Sequence, residues 1–499
     1  MKEHLINLSE AETNLAMAAA YLAENIRSSD GHAEAMNEIV AYLSAQGKVD
    51  LAAELADTIK DNFVRDNLLV RIAEKCAAGG DDEYAFQLAE AIEDYGLQSS
   101  AREHIAVQKA MRDEFDEALK ITDKLSHADG ALAAIAVYQI TNGQGNEPRQ
   151  TLSKIEYPAA KAHALQAIAE HFYAENETQK ANEFLAEAVE EIRDIELPEE
   201  KIRTLLAVAG QYIEAAQFDK AIEVLGKARL ESEVLDSVHR EGFLSSASLD
   251  FLRAGSLDLA DRTLDLISDK TQIAATLTGF SAEFARQKES ADALETLEEA
   301  YAILKSQKEN QIRDSRLRFN LFGIIAERFA ALGKIERALE IALENPIGDE
   351  RNSALTQIAI VCANNENDEL ARQSVSAIED ENTRAIALIS VSNAENATNN
   401  FDQSLNLLNE AFSLIKNIHQ PAARSAALNE IAKRFSKYGE TEKARDAAAE
   451  SLHSVKQIID ESHRAVALLH LAAIYETCDF QLKDDERQTI SAMLQKAEW

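Results

Sequence analysis

The chain has 499 residues, and 51 Lys and Arg against 87 Asp and Glu give it a formal net charge of −36. A field of this sign repels phosphate backbones and anionic lipid headgroups, so it argues against nucleic-acid and membrane partners. Five prolines and 17 glycines leave no room for long disordered linkers, and the composition predicts a nearly all-helical chain.

Pairs of small residues twelve positions apart recur along the chain. In chain order they are Val40/Ala52, Ala73/Ala85, Ala106/Ala118, Ala136/Pro148, Ala169/Ala181, Ala209/Ala221, Ser281/Ala293, Ala326/Ala338, Ala359/Ala371 and Ala432/Ala444. The first member of a pair is called the anchor. Three further anchors are predicted at Ala247, Ser390 and Ala472. Such a repeat predicts an all-α solenoid, a superhelix of about 13 antiparallel hairpins that runs continuously over residues 1–499.

The unit anchored at Ala209 shows the pattern most clearly. The small anchor lets a facing helix approach, and Tyr212 fills the space one turn later. Ala221, Leu225 and Ala228 follow at spacings of four and three, which is the stripe of a buried helix face. In other units the seventh residue after the anchor is glycine or asparagine, which tolerate the left-handed backbone that ends a helix. These residues are Gly47, Gly80, Gly143, Asn176, Gly333 and Gly439.

This unit resembles the tetratricopeptide repeat (TPR), in which a small residue, an aromatic residue, a turn and a second small residue follow one another. The best matches are Ala169-Phe172-Ala181-Leu185-Ala188, Ala209-Tyr212-Ala221-Leu225-Ala228 and Ser281-Phe284-Ala293-Leu297-Ala300. The chain departs from the family in lacking the tryptophan that often opens a TPR helix, and its anchors are unevenly spaced. The resemblance implies a protein-interaction scaffold that binds a partner segment in a concave groove lined by the first helix of each hairpin.

The anchor spacings suggest a second level of repetition. From Ala106 onward two short steps between anchors are followed by two long ones, and the same order of steps recurs from Ala326 onward. Ile155-Glu156 and Lys220-Ala221 recur, both at the same offset, as Ile378-Glu379 and Lys443-Ala444. We therefore predict an internal duplication that relates residues 99–250 to residues 320–475, with residues 476–499 as a C-terminal cap. Chance similarity within an alanine-rich chain is the alternative.

No residue spacing in the sequence is typical of a catalytic or metal site. His-x-x-x-His, Cys-x-x-Cys, phosphate-binding glycine loops and the Gly-x-Ser-x-Gly elbow are all absent. We therefore predict a protein that is not an enzyme and has no cofactor or metal. Cys76 and Cys362 each follow an anchor by three residues and are expected to be buried thiols. The N-terminus has no apolar run of the signal-peptide type, so a cytoplasmic protein is expected.

One group of basic residues was considered as a nucleic-acid site. It comprises Lys305, Lys308, Arg313, Arg316 and Arg318. Acidic residues interrupt the group and its spacing does not form one stripe, so a solvated segment is the favoured interpretation.

Two sets of residues are candidates for partner binding. Residues three before and four after an anchor are expected to face the groove, where Leu206, Ile213, Leu244 and Phe251 would form an apolar patch. The alternative is that a tight superhelix buries these four side chains as core. A second set is a cation eight residues before the anchor, which either bridges to the acidic end of the preceding hairpin or recognises an acidic partner segment. Its members are Arg65, Lys161, Arg318, Arg351, Arg424 and Arg464. Of these, Arg351, Arg424 and Arg464 are the candidate partner-binding residues.

Three functions remain open from the sequence. The first is a non-enzymatic scaffold or adaptor with a protein or peptide partner. The second is a regulatory sensor subunit that a ligand or peptide gates through the same groove. An RNA-binding helical repeat is less favoured because it requires a basic groove. The carboxylate clamp of the TPR family, which grips acidic C-termini, is echoed only by Asn429 and Lys433.

Overall fold

The computed structural model describes residues 4–143, 147–306, 315–346, 348–398 and 400–497. These residues form 28 α-helices and no strand. They divide into two compact units, of which unit 1 comprises residues 1–108 and 363–499 and unit 2 comprises residues 109–362. The predicted fold class, an all-α array of TPR-like hairpins, is confirmed.

Unit 1 takes helices from both ends of the chain. They are α1 (Leu8–Ala11), α2 (Leu15–Glu24), α3 (Ser29–Ala45), α4 (Val49–Ala56), α5 (Asn62–Ala78), α6 (Asp82–Ala91), most of α7 (Tyr95–Met111), α22 (Asp368–Ser376), α23 (Glu381–Ala397), α24 (Phe401–Ile415), α25 (Pro421–Lys437), α26 (Thr441–Gln457), α27 (Glu461–Thr477) and α28 (Asp484–Ala497).

Unit 2 is built from the middle of the chain. Its helices are α8 (Phe115–Thr122), α9 (Asp129–Thr141), α10 (Glu147–Ser153), α11 (Pro158–Ala174), α12 (Thr178–Ile192), α13 (Pro198–Glu214), α14 (Phe218–Ser232), α15 (Ser237–Arg253), α16 (Leu257–Leu264), α17 (Lys270–Arg286), α18 (Ser290–Ser306), α19 (Ser315–Ala331), α20 (Ile335–Glu344) and most of α21 (Gly348–Asn364).

Consecutive helices pack in pairs, so that an odd-numbered first helix lies against the even-numbered second helix that follows it, as in α11/α12 and α25/α26. A residue with positive φ lies in the turn between them. The six turn residues predicted from glycine or asparagine all have this conformation, and so do Asp113, Ala216, Gly255, Lys288, Glu366 and Asp479. The left-handed turn is therefore a property of the hairpin, which non-glycine residues also adopt.

The anchors lie where the two helices of a hairpin come closest. Ala209 and Ala221 are fully buried, and the Oγ of Ser281 donates a hydrogen bond of 2.7 Å to the carbonyl of Ala293 on the facing helix. A short side chain on one helix thus touches the backbone of the other. Small side chains at such positions let the two helices pack closely, which is why the interval of twelve recurs.

Two predicted anchors are wrong by one and two positions. In α15 the residue that contacts the second helix is Ser248, whose Oγ donates to the carbonyl of Ala260 at 2.7 Å, and not Ala247. In α23 it is Ser392, not Ser390, because the hydroxyls of Ser392 and Ser404 each donate to the other's carbonyl, at 2.9 and 2.7 Å. Since small residues stand next to one another here, size alone did not fix the register.

The two ends of the chain pack together within unit 1. All ten residues of α2 are buried, and α2 lies along α27 and also contacts α3 and α28. Helix α27 in turn packs against α3. The Oγ of Ser462 donates to Oε2 of Glu34 at 2.7 Å, and Nε2 of Gln46 donates to Oε2 of Glu476 at 3.1 Å. Residues from opposite ends of the sequence therefore share one core.

Candidate functional site

The predicted apolar patch is only partly at the surface. Leu206 and Ile213 are half-buried, but Leu244 and Phe251 are each 1% exposed. The expectation that these two side chains are exposed in a groove is wrong, and the corrected register gives the reason. Counted from Ser248, Phe251 is the third residue after the anchor, the core position that Tyr212 occupies in α13.

The exposed face of a first helix lies about one position away from the predicted one. In α13 the exposed residues are Arg203, Ala207 and Glu214, which are six and two residues before the anchor and five after it. The neighbouring face contacts the preceding first helix, since Nε2 of Gln211 donates to the carbonyl of Gln166 at 3.2 Å. A partner segment that binds the first helices would therefore contact the exposed stripe first.

The candidate cations Arg424 and Arg464 contact the ends of second helices. Nε and Nη2 of Arg424 donate to Oγ of Ser454 and Oε1 of Gln457, both at 2.8 Å. Nη1 of Arg464 donates to the carbonyl of Ile458 at 3.2 Å. Arg464 therefore bridges to the end of the preceding hairpin through a carbonyl and not an acidic side chain, whereas Arg424 contacts the second helix of its own hairpin. Arg351 is half-buried on α21.

The corrected register extends the cation series by one further example with the same contact. Eight residues before Ser392 stands Arg384, whose Nη1 donates to the carbonyl of Ile378 at 3.2 Å, directly after α22. Lys161 forms an ion pair of 2.6 Å with Glu191 near the end of α12. The cations thus tie the start of a first helix to the end of a second helix.

An acidic residue next to some of these cations was not recognised in the sequence. The buried Asp66 accepts hydrogen bonds from the backbone N–H groups of Glu93 and Asp94 at 3.0 and 2.9 Å, just before α7. Its other oxygen accepts from the guanidinium of Arg65 at 2.8 Å. The adjacent cation and carboxylate, repeated as Arg240-Glu241, were the available signal. The role of these pairs is to join successive hairpins.

A cleft in unit 1, here called the acidic cleft, lies between the first helices α27, α3 and α5. Its volume is about 850 Å³. Asp30, Glu34, Glu38 and Asp61 line it, and the described residues around it include no lysine or arginine. His463 and His470 of α27 line the opposite side.

Part of the lining of the acidic cleft is apolar. It is formed by Ala33, Phe63, Val64 and Val466, and the Phe63 side chain is 70% exposed. The carboxylate of Asp61 caps α5 by accepting the N–H groups of Phe63 and Val64 at 3.0 and 3.1 Å, which fixes the backbone under the ring. The cleft combines negative charge with an exposed aromatic side chain.

The remaining candidates from the sequence are the two buried cysteines, the Asn429/Lys433 pair and the group of basic residues. Burial raises the pKa of the Cys76 and Cys362 thiols to about 11, so neither is a thiolate nucleophile near neutral pH. Their predicted burial is confirmed. Asn429 is buried and its Oδ1 accepts from Oγ of Ser451 at 2.7 Å, so it does not form a clamp with Lys433. Lys308 and Arg313 lie outside the described residues.

No group of three or more His, Cys, Asp or Glu side chains in the described part of the chain is placed to hold a metal ion. No helix formed by those residues is both long and apolar enough to cross a bilayer.

Comparison with known proteins identifies only solved structures. No family model matches the chain, and no curated protein matches it. The chain is similar to Ton1535 from Thermococcus onnurineus NA1, with 19% identity, 81% of this chain and 98% of that chain covered, and a TM-score of 0.24. It is also similar to the apo form of RapI, with 15% identity, 69% of this chain and 95% of that chain covered, and a TM-score of 0.29. For the APC/C hetero-tetramer Cut9-Hcn1 the identity is 14%, 87% of this chain and 95% of that chain are covered, and the TM-score is 0.22.

The fold is that of a TPR-like helical repeat. This assignment rests on the paired helices, the buried anchors and the left-handed turns of the chain itself.

Proposed function

We propose that the chain is a non-enzymatic protein-interaction scaffold in the cytoplasm, which binds a segment of a partner protein along the exposed face of its first helices. A repeat of this kind presents many equivalent helix faces side by side. The half-buried Leu206 and Ile213 border that face on α13. They are the part of the predicted apolar patch that a partner can reach.

The observation that carries this proposal is the exposed stripe of α13, formed by Arg203, Ala207 and Glu214 and bordered by Leu206 and Ile213. A glycine in a helix interior costs about 1 kcal/mol relative to alanine. At Gly226 of the second helix α14 an added Cβ would meet nothing within 4 Å beyond its own helix backbone, so packing does not require glycine there, and the same holds at Gly210 of α13 and Gly242 of α15. Exposed Ala207 and Ser246 lie on the same two helices. Small residues let a bound segment approach the helix backbone closely.

A pair of matched variants tests this proposal. Ala207 is exposed on the first helix α13, and Ala186 is exposed on the second helix α12. Ala207→Arg places a long cation on the proposed face, whereas Ala186→Arg makes the same change elsewhere. Both variants should unfold at the temperature of the parent because both sites are solvated.

The measurement is affinity capture from cells followed by quantitative mass spectrometry. We expect a protein that the parent and Ala186→Arg retain and that Ala207→Arg loses. An identical set of captured proteins for all three chains would contradict binding on this face.

A further inference from the structure

The acidic cleft of unit 1 is the place where negative charge and exposed apolar surface coincide. We propose that it binds a cationic, amphipathic helical segment of a partner protein. Apolar side chains of the segment cover Phe63, and its Lys or Arg side chains lie beside the carboxylates of the cleft. The inference rests on the proposed scaffold function and adds the chemistry of the partner.

The size and position of the acidic cleft suit a polypeptide segment. Its volume of about 850 Å³ is large enough for several side chains. It is bounded by three neighbouring first helices, since α27 packs against α3 and α3 against α5. Amphipathic helices bind to other proteins by placing their apolar face into a groove of this type.

No lysine or arginine stands among the described residues that line the acidic cleft. Asp30 and Glu38 form no ion pair within the described residues, and the partners of Glu34 are the Ser462 hydroxyl and the His463 ring. In unit 2, by contrast, an exposed carboxylate such as Glu298 is paired with Arg337 at 2.9 Å. Four carboxylates in a lining whose described residues include no lysine or arginine attract a cationic ligand and repel an anionic one.

The exposed ring of Phe63 favours a polypeptide ligand over a simple polycation. The backbone of Phe63 is held by the Asp61 cap, and the residue is 70% exposed. Val64 and Val466 extend the apolar surface around it. Apolar side chains of a bound helix remove this surface from water, and an arginine can also stack on the ring.

The test uses the full-length chain and a fluorescein-labelled synthetic helix of about four turns, with leucine on one face and lysine on the other. Binding is measured by fluorescence anisotropy at roughly physiological salt, where nonspecific attraction is screened. Phe63→Ala should weaken binding about fivefold and Glu38→Lys about tenfold. A peptide with glutamate in place of every lysine should not bind.

Matched controls separate the cleft from the general charge of the chain. Tyr95, at the start of α7, is 85% exposed, and Glu54 is exposed on α4 in the same hairpin as Glu38. Tyr95→Ala and Glu54→Lys should leave the affinity within about twofold of the parent. Melting curves of all four variants should coincide with the parent, since each residue is at the surface.

Three results would overturn the inference. Equal weakening by Glu38→Lys and Glu54→Lys would show attraction by net charge alone. Displacement of the peptide by spermine at equal charge concentration would show that the cleft selects charge and not a polypeptide. Unchanged affinity in Phe63→Ala would remove the apolar contact. If Ala207→Arg still abolished partner capture in any of these cases, the scaffold function would stand and only the partner chemistry would be wrong.

Discussion

Helices α11–α13 of unit 2 and α23–α25 of unit 1 have the same lengths and spacing but differently built cores. One constant offset in residue number relates the start and the end of each helix in the first set to those of its counterpart in the second. In unit 2 the anchors are Ala169 and Ala181, and the ring of Phe172 stacks on Phe184 with a centroid distance of 5.4 Å. The hairpin interior is apolar.

The counterpart in unit 1 is polar. Hydrogen-bonded Ser392 and Ser404 replace the two alanines, and Glu395, which is 1% exposed, stands where Phe172 stands in unit 2. Nδ2 of Asn400 donates to Oε2 of Glu395 at 2.7 Å and to Oδ2 of Asp368 at 3.1 Å. The comparison teaches that the small anchors and the turn define the hairpin. The side chains inside it can be either stacked aromatic rings or hydrogen-bonded polar groups.

The constant offset between the two sets of helices supports the internal duplication. We propose that a block of hairpins around residues 99–250 was copied to give residues 320–475. In a crystal structure the two stretches should superpose hairpin by hairpin. A fit no better than that of arbitrary windows of equal length would contradict the duplication.

The largest effect is expected from shortening a leucine shared by the two regions. Leu185 on α12 and Leu408 on α24 occupy equivalent positions, and both are fully buried. Leu185→Ala and Leu408→Ala should each lower the free energy of unfolding by about 2–5 kcal/mol. Denaturant unfolding measures this change in the free energy of unfolding. A loss confined to one variant would show that the two hairpins are not packed alike.

A smaller loss is expected from enlarging an anchor partner. Ala221 on α14 and Ala444 on α26 are fully buried at equivalent positions. Ala221→Leu and Ala444→Leu should each cost about 1–3 kcal/mol, because the added atoms push the paired helices apart. The exposed Ala207→Leu serves as the control and should unfold like the parent. Parent-like unfolding of both buried variants would mean that the core face is misassigned.

The smallest effect is a dependence on pH that only the polar hairpin should show. Burial raises the pKa of Glu395, and the negative charge of Asp368 adds to the rise. The folded chain then holds this proton more tightly than the unfolded chain, so stability falls as the pH rises above the ordinary pKa of about 4.5. Glu395→Gln should remove that fall and be the more stable chain at neutral pH.

The control for this pH dependence is Glu442→Gln, at an exposed position of α26. It should keep the pH profile of the parent, measured as the midpoint of thermal unfolding from about pH 4 upward. A parent-like profile for Glu395→Gln would contradict the assignment of the fall in stability at rising pH to the buried carboxyl of Glu395.

The repeat and its turns could be predicted from the sequence because they depend on residues close together in the chain. Gly47 and Gly333 mark left-handed turns by residue type, but Ala216 and Lys288 adopt the same conformation without such a mark. Gly255 was a usable signal, since it stands at the seventh position after Ser248 and not after Ala247. The error of one position displaced Phe251 from the core to a supposed groove.

The acidic cleft could not be predicted because no local pattern reveals it. Glu34 and Ser462 are 428 residues apart in the chain and meet only because α27 packs against α3. An exposed Phe63 at the start of α5 reads in the sequence as an ordinary core residue. The contact between the two ends of the chain has no signal in composition or spacing.

The register of the first helices, which decides between core and binding face, is tested most directly by the unfolding free energy of Phe251→Ala. With Ser248 as the anchor, the ring fills the hairpin core, and its removal should cost about 3–5 kcal/mol while partner capture at low temperature is retained. Parent-like stability together with loss of the partner would instead place Phe251 on a binding surface and contradict the account.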